Sequence, residues 1–325
     1  MIEVISNFTV PFVFWVILGF ALFMYIALDG YDLGIGMLMP VNNKKHCDKM
    51  VGSIGPFWDA NETWLILIVG LLLIAFPTAH SLIFTECYLA TFTMICGLMA
   101  RGLAFEMRVK AKEKHQPLWE NVFKYGSLAT SITQGYMLGR YLTGYAADTS
   151  SYVVIALVTL GLPIAYILIG ASWVYLKTTQ ELQAQARTWF KHSNIALHIV
   201  IGIGVMFRLI NQPDQSQTEL VILFCICAIN TTISYLSYKC IQNETTKCIT
   251  PFLLTIALFA INLTASYCFI FPDVVPNKIQ LMESSSIESL KFLLKGAVFI
   301  IPTLLASKAM VYFVFRGKSE TLKYD

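Results

Sequence analysis

Nine apolar segments, each long enough to cross a membrane, follow one another along this chain of 325 residues and constrain its fold more than any other feature. The hydrocarbon core of a bilayer is about 30 Å thick, which an α-helix of roughly 20 residues spans. On this criterion the predicted spans are residues 11–33, 57–76, 81–105, 122–142, 152–176, 194–210, 219–238, 251–271 and 293–315. The second span reaches the required length only if Asp59 and Glu62 are counted inside it.

The composition excludes an ordinary soluble fold. Hydrophobic residues make up 56% of the chain and charged residues 13%, whereas about 25% of the residues in a soluble domain are charged. A soluble protein could not bury so much apolar surface, so lipid must be the solvent. We therefore expect an all-α integral membrane protein, a single polytopic domain over residues 1–325 with about nine transmembrane helices.

Lysine and arginine are concentrated in alternate loops between the predicted spans. One set of loops and tails contains Lys44, Lys45, Lys49, Arg108, Lys110, Lys112, Lys114, Lys177, Arg187, Lys191, Lys239, Lys247, Arg316, Lys318 and Lys323. In the opposite set of loops, only Lys278 and Lys291 can be clearly assigned. Cytoplasmic loops are the basic ones, so an odd number of spans is predicted, with the N-terminus outside and the C-terminus in the cytoplasm. The first segment lacks a basic leader and a small-residue cleavage site, so we expect it to remain as a helix.

Six ionisable residues are predicted at the cytoplasmic ends of the first three spans. They are Asp29 and Asp32 in the first, Asp59 and Glu62 in the second, and Arg101 and Glu106 in the third. Residues three apart lie on one side of a helix, so each acidic pair is expected to share a face. Charged groups inside a membrane are costly and mark function by default. We expect an acidic cluster in which Arg101 holds Asp59 ionised.

Two interpretations of this cluster are open. It is a hydrated site that takes protons from the cytoplasm, or a structural network in which Arg101 neutralises one carboxylate and solvent covers the others. Glycines at 30, 34 and 36 favour the first, because glycine in a membrane helix permits close backbone approach or a break. Lys308, within the last predicted span, is more typical of a structural residue.

The sequence offers no pattern for a metal or haem site on this chain alone. Of the five histidines, only His198 is clearly inside a predicted span, and haem in membrane proteins usually needs buried axial ligands. Cys225 and Cys227 lie in an apolar segment without the spacing of a zinc site. We expect no metal ligand and no catalytic residue here.

Three motifs carry a resemblance to a known family. They are Leu28-Asp29-Gly30-Tyr31-Asp32-Leu33-Gly34-Ile35-Gly36-Met37-Leu38, Pro56-Phe57-Trp58-Asp59-Ala60-Asn61-Glu62-Thr63-Trp64-Leu65-Ile66 and Arg101-Gly102-Leu103-Ala104-Phe105-Glu106-Met107-Arg108. In this order they resemble subunit II of cytochrome bd-type quinol oxidases, including the cyanide-insensitive branch. Weaker similarities are Gln134-Gly135, Gly170-Ala171-Ser172-Trp173 and Phe271-Pro272.

The resemblance implies a heterodimer with a homologous subunit I in the bacterial inner membrane, sometimes joined by a small single-helix subunit. Each large subunit would form two four-helix bundles and a peripheral helix. Subunit I would hold haem b, haem d and the quinol site. The complex would oxidise ubiquinol or menaquinol, reduce O₂ to water and take protons from the cytoplasm, contributing to proton motive force.

For this chain, the resemblance implies a role in assembly and in lining a proton route, with lipid around it and no nucleic acid. The residues that the resemblance assigns to this proton route are Asp59, which follows Trp58, the pair Asp29 and Asp32, and Arg101. A secondary transporter is the alternative, but midplane charges and inverted repeats would be expected there, and the charges lie at one end. A structural scaffold predicts that the cluster can be neutralised without loss of turnover.

Overall fold

The computed structural model describes residues 2–41, 43–211, 216–243, 248–283 and 285–318, with side chains from residue 8 onward. Its helices are α1 (Ile2–Leu38), α2 (Lys44–Ile54), α3 (Trp58–Ala75), α4 (Pro77–Glu86), α5 (Tyr88–Lys110), α6 (Gln116–Leu142), α7 (Thr149–Lys177), α8 (Gln180–Asn211), α9 (Gln217–Gln242), α10 (Ile249–Ile270) and α11 (Ile287–Val314). Two short strands, β1 (Asp273–Val275) and β2 (Ile279–Gln280), pair antiparallel. Short 3₁₀ turns cover Glu113–His115 and Leu281–Glu283.

The predicted all-α membrane architecture is confirmed. Within the described residues, eight helices are long and apolar enough to cross a membrane: α1, α3, α5, α7, α8, α9, α10 and α11. The predicted fourth span corresponds to α6, which has 27 residues and is about 40 Å long at 1.5 Å per residue. Its buried face carries Ser127, Thr130, Ser131 and Gln134, so its hydropathy falls below that of the other eight.

Three segments differ from the prediction. The third predicted span is divided at Cys87 into the short α4 and the long α5. Pro77 is the first residue of α4, where proline is favoured because the backbone N–H that it lacks would have no acceptor within the helix. The predicted span 194–210 is only the second half of α8, so the basic residues Arg187 and Lys191 belong to that helix. The loop after α1 contains α2, which the apolar pattern did not reveal. Asn43 caps α2 by accepting a hydrogen bond from the His46 backbone N–H at 3.2 Å.

The helix contacts form two groups of four. Helices α1, α3, α5 and α6 pack together, as do α7, α8, α9 and α10, and the groups meet along α1–α7 and α6–α7. Helix α11 lies against α1. At the α1–α7 crossing, a Cβ on Gly34 would lie 1.8 Å from the carbonyl oxygen of Tyr166, and Gly170 is the facing residue. Gly34 therefore serves close backbone approach, and α1 continues unbroken to Leu38.

Candidate functional site

Four of the six predicted charged residues meet between α1, α3 and α5. The guanidinium of Arg101 donates from Nη2 to Asp29 Oδ1 at 2.6 Å and also to Glu62 Oε1. The side chains of Arg101 and Asp29 are 1% and 0% exposed, while that of Glu62 is 28% exposed. Arg101 thus joins a fully buried carboxylate to one that reaches the surface of the chain.

Asp32 has a different partner. The amide nitrogen of Asn61 donates to Asp32 Oδ2 at 2.9 Å, and it lies 2.9 Å from the Tyr31 hydroxyl and 3.3 Å from the Leu28 carbonyl oxygen. Asp32 and Asn61 are both 0% exposed. Our sequence prediction gave Asn61 no role, although an amide within a membrane helix must find polar partners there.

The expected pairing of Arg101 with Asp59 is wrong. Asp59 is exposed on this chain, and the ion pairs among the described residues include none of its oxygens. Trp58, which precedes it, packs on Phe105 with ring centroids 4.8 Å apart. Glu106 is also exposed, and it pairs with Lys110 at 3.2 Å on the surface of α5. The structure therefore separates four clustered residues from two surface carboxylates.

Several polar atoms of the cluster are buried without a hydrogen-bond partner among the described residues. They are Asp29 Oδ2, Asp32 Oδ1, Asn61 Oδ1, Arg101 Nε and Arg101 Nη1. An unsatisfied buried polar group costs about 1–3 kcal/mol. Sites of this polarity commonly contain ordered water bound by two to four protein groups. The mixture of donors and acceptors around one space fits bound water.

A second polar set lies closer to the N-terminus of α1 than the carboxylates do. The side-chain amide of Gln134 donates to the Tyr25 hydroxyl at 2.6 Å, and the Tyr166 hydroxyl donates to the Gln134 carbonyl oxygen at 2.9 Å. Tyr25 is one helical turn before Asp29. These three side chains also line a largely apolar cavity of about 1140 Å³ between the two helix groups. Polar groups therefore extend from the carboxylates to the interior of the chain.

A separate ionic cluster fixes α2 against α5 and α6. Arg108 lies 2.7 Å from Asp48 on α2 and 2.7 Å from Glu120 on α6, and Glu120 is only 1% exposed. Beside it, burial raises the pKa of the Cys47 thiol to about 12. The sequence analysis placed Arg108 in a basic loop and gave Glu120 no role, because contacts between distant segments leave no local pattern.

Three of the histidines lie on separate helices. His46 lies 3.6 Å from Glu181, the ring of His80 stacks on Phe84 at 4.4 Å, and His198 Nδ1 is 2.8 Å from the Asn194 carbonyl of its own helix. These three histidines belong to α2, α4 and α8, and each has its own neighbour. Within the described ranges, groups of three or more potential metal ligands are absent.

Comparisons with known proteins point to one family. The family described as "Cytochrome bd terminal oxidase subunit II" matches residues 10–315. A "Probable cytochrome oxidase subunit 2" of Haemophilus influenzae is 28% identical over 200 residues, which are 54% of this chain and 51% of that protein. The "Cytochrome bd ubiquinol oxidase subunit 2" of Bacillus subtilis is 25% identical, and the alignment covers 94% of this chain and 95% of the relative.

The fold is shared with a solved structure, that of the bd oxidase from Geobacillus thermodenitrificans. The TM-score is 0.73 at 14% sequence identity, and the match covers 94% of this chain and 99% of the other. The similarity of fold therefore extends over nearly all of this chain.

Proposed function

Because this chain belongs to the cytochrome bd terminal oxidase subunit II family, and is thus one subunit of a terminal quinol oxidase, we propose that it supplies that oxidoreductase complex with protons from the cytoplasm. The complex involves haem, quinol and a partner subunit I. No comparison favours the alternative of a secondary transporter. The protein is a multi-pass membrane protein, with its N-terminus outside and its C-terminus in the cytoplasm of a bacterium.

In this proposal the homologous subunit I holds haem b, haem d and the site for ubiquinol or menaquinol. A small single-helix subunit and lipid complete the assembly in the inner membrane. The chemistry of the haems is oxygen reduction, which consumes protons at a buried centre. This chain contributes the polar side chains that bind and pass those protons, since charges do not cross lipid unaided.

The observation that carries the proposal is the imbalance of charge around Arg101. Asp29 and Glu62 both contact one guanidinium, and the third carboxylate, Asp32, is bound by the neutral amide of Asn61, so the acidic groups outnumber the cation. Like charges in a buried site cannot all remain ionised without compensation. Such a site binds protons and exchanges them, whereas a purely structural pair would have matched charges.

Each residue then has a role that follows from its exposure. Glu62 is partly exposed and receives protons from the surface, where Asp59 and Glu106 collect them. Arg101 orients Glu62 towards Asp29. From Asp29 the route continues through bound water to Tyr25 and its neighbours Gln134 and Tyr166, and then to the partner subunit.

The test uses the complete oxidase, with turnover expressed per assembled haem. In the Glu62→Gln and Asp32→Asn complexes we expect normal haem content and oxygen consumption reduced about tenfold, equivalent to roughly 1.4 kcal/mol in the barrier. The matched control is Glu288→Gln, an exposed carboxylate at the start of α11, which should keep full turnover. Normal turnover in both site variants would contradict a proton-transfer role.

A further inference from the structure

Helix α11 buries one charged side chain. Most of its surface faces outward, and Phe292, Phe299 and Met310 are 78%, 74% and 69% exposed. Lys308 is 7% exposed on the same helix, and its Nζ has no hydrogen-bond partner in the described part of the chain. A lysine that merely reached towards lipid headgroups would leave its ammonium accessible, so this inward position calls for another explanation.

Contacts made by Tyr312, on the same face of α11, show which part of α1 and α3 lies beside Lys308. Tyr312 follows one helical turn later, and its hydroxyl is 2.7 Å from that of Tyr31. The ring of Tyr312 packs on Phe57 with centroids 4.6 Å apart. The Tyr31 hydroxyl is in turn 2.9 Å from Asn61 Nδ2, the group that donates to Asp32. The face of α11 that carries Lys308 therefore packs against the part of α1 and α3 that holds Asp32.

Two carboxylates act electrostatically on Lys308, namely Asp32 and Asp59. Asp32 Oδ1 is also buried without a partner among the described residues, and Lys308 is not in direct ion-pair contact with either carboxylate. A donor and an acceptor that are buried near each other, but too far apart for a direct bond, are commonly joined by water.

We infer that Lys308 is the second cation of this site, a positioning residue whose ammonium binds water between the surface carboxylate Asp59 and the buried Asp32. This inference rests on the proposed proton-transfer function and extends it to α11. With Arg101 and Lys308 present, the two buried carboxylates and the partly exposed Glu62 face two cations, and a single proton completes the charge balance. Asp59, which Arg101 does not contact, is thereby joined to the interior.

The experiment compares Lys308→Met, Lys308→Gln and Lys308→Arg in the complete oxidase. Lys308→Gln stays polar and so covers the case in which the methionine variant fails to assemble. We expect both neutral variants to lower turnover about tenfold with normal haem, and to increase the ratio of rates in H₂O and D₂O. Lys308→Arg should retain most of the activity, because it keeps a cation at this position. The matched control is Lys295→Met, an exposed lysine of the same helix, which should change neither quantity.

A double variant tests whether the two groups act on the same water. Lys308→Gln combined with Asp32→Asn should be no slower than Asp32→Asn alone, since the second change removes a group whose partner is already lost. Wild-type turnover and isotope ratio in Lys308→Gln, beside a slow Asp32→Asn complex, would overturn the role of Lys308 only. Full turnover in Asp32→Asn and Glu62→Gln would instead overturn the proposed proton route.

Discussion

Replacing Arg101 with glutamine should destabilise the chain by about 3–5 kcal/mol, the usual cost of removing one partner from a buried ion pair. The pair is fully buried: Arg101 Nη2 is 2.6 Å from Asp29 Oδ1, and the two side chains are 1% and 0% exposed. Without the guanidinium, Asp29 would be left close to Glu62 with no cation in contact. We expect Arg101→Gln to reduce the yield of haem-containing complex and the temperature at which its haem absorbance is lost.

The double variant Arg101→Gln/Asp29→Asn distinguishes the cost of an unpaired buried charge from the cost of changing the shape of the side chain at position 101. It removes the carboxylate that the first change leaves unpaired, so it should be more stable than Arg101→Gln alone. Lys110→Gln is the control, because its pair with Glu106 is exposed and should contribute less than about 1 kcal/mol. The reasoning fails if Arg101→Gln matches the wild type in both measurements, or if the double variant is no more stable than the single one.

Four further outcomes are expected. Asp59→Asn should keep assembly and the haem spectrum but consume oxygen more slowly, and full turnover per haem would remove Asp59 from the route. Because burial raises the pKa of Cys47 to about 12, its thiol should stay protonated at pH 8 and resist maleimide labelling until the chain is unfolded; labelling located at Cys47 itself in the native protein at pH 8 would refute this, since other cysteines such as Cys96 are exposed. Tags at the C-terminus and in the segment 111–115 should report cytoplasm and an N-terminal tag the outside, and termini on one side would contradict the predicted topology. The chain made without its partner should bind little haem, and stoichiometric haem on it would contradict a haem site on subunit I.

The long helices were predictable from sequence because lipid imposes one requirement on each of them. Every span needs a run of apolar residues, and that requirement is local. Helix α6 was found although its buried face is polar, since apolar residues on its other sides complete the run. The division between α4 and α5 at Cys87 was missed. The start of α4 was also missed, although Pro77 was a visible signal for it.

Helix α2 was missed for a different reason. It holds its place through Asp48, which contacts Arg108, and Arg108 also contacts Glu120 from α6. The charge of Asp48 is therefore satisfied by a residue 60 positions away in the chain, and that of Lys44 by Glu113, 69 positions away. Neither hydropathy nor helix propensity contains that information, so the segment read as a basic cytoplasmic loop.

The members of the carboxylate site were predicted from their common end of three spans, but the sequence did not reveal which carboxylate of α3 contacts Arg101. The buried stripe of α3 is Asn61, Trp64, Ile68, Leu71 and Ala75, which recurs every three or four residues. At 3.6 residues per turn, Glu62 lies roughly 100° from Asn61 and Asp59 roughly 200°. Because these two rotations run in opposite directions, Glu62 and Asp59 are only about 60° apart, both on the side of α3 away from this stripe. The direction of the two side chains around the helix does not decide between them, and Glu62, almost one turn farther along α3, is the one that contacts Arg101. The same periodicity places Asn61 on the buried face, so the apolar residues of α3 already contained the signal for the amide that holds Asp32.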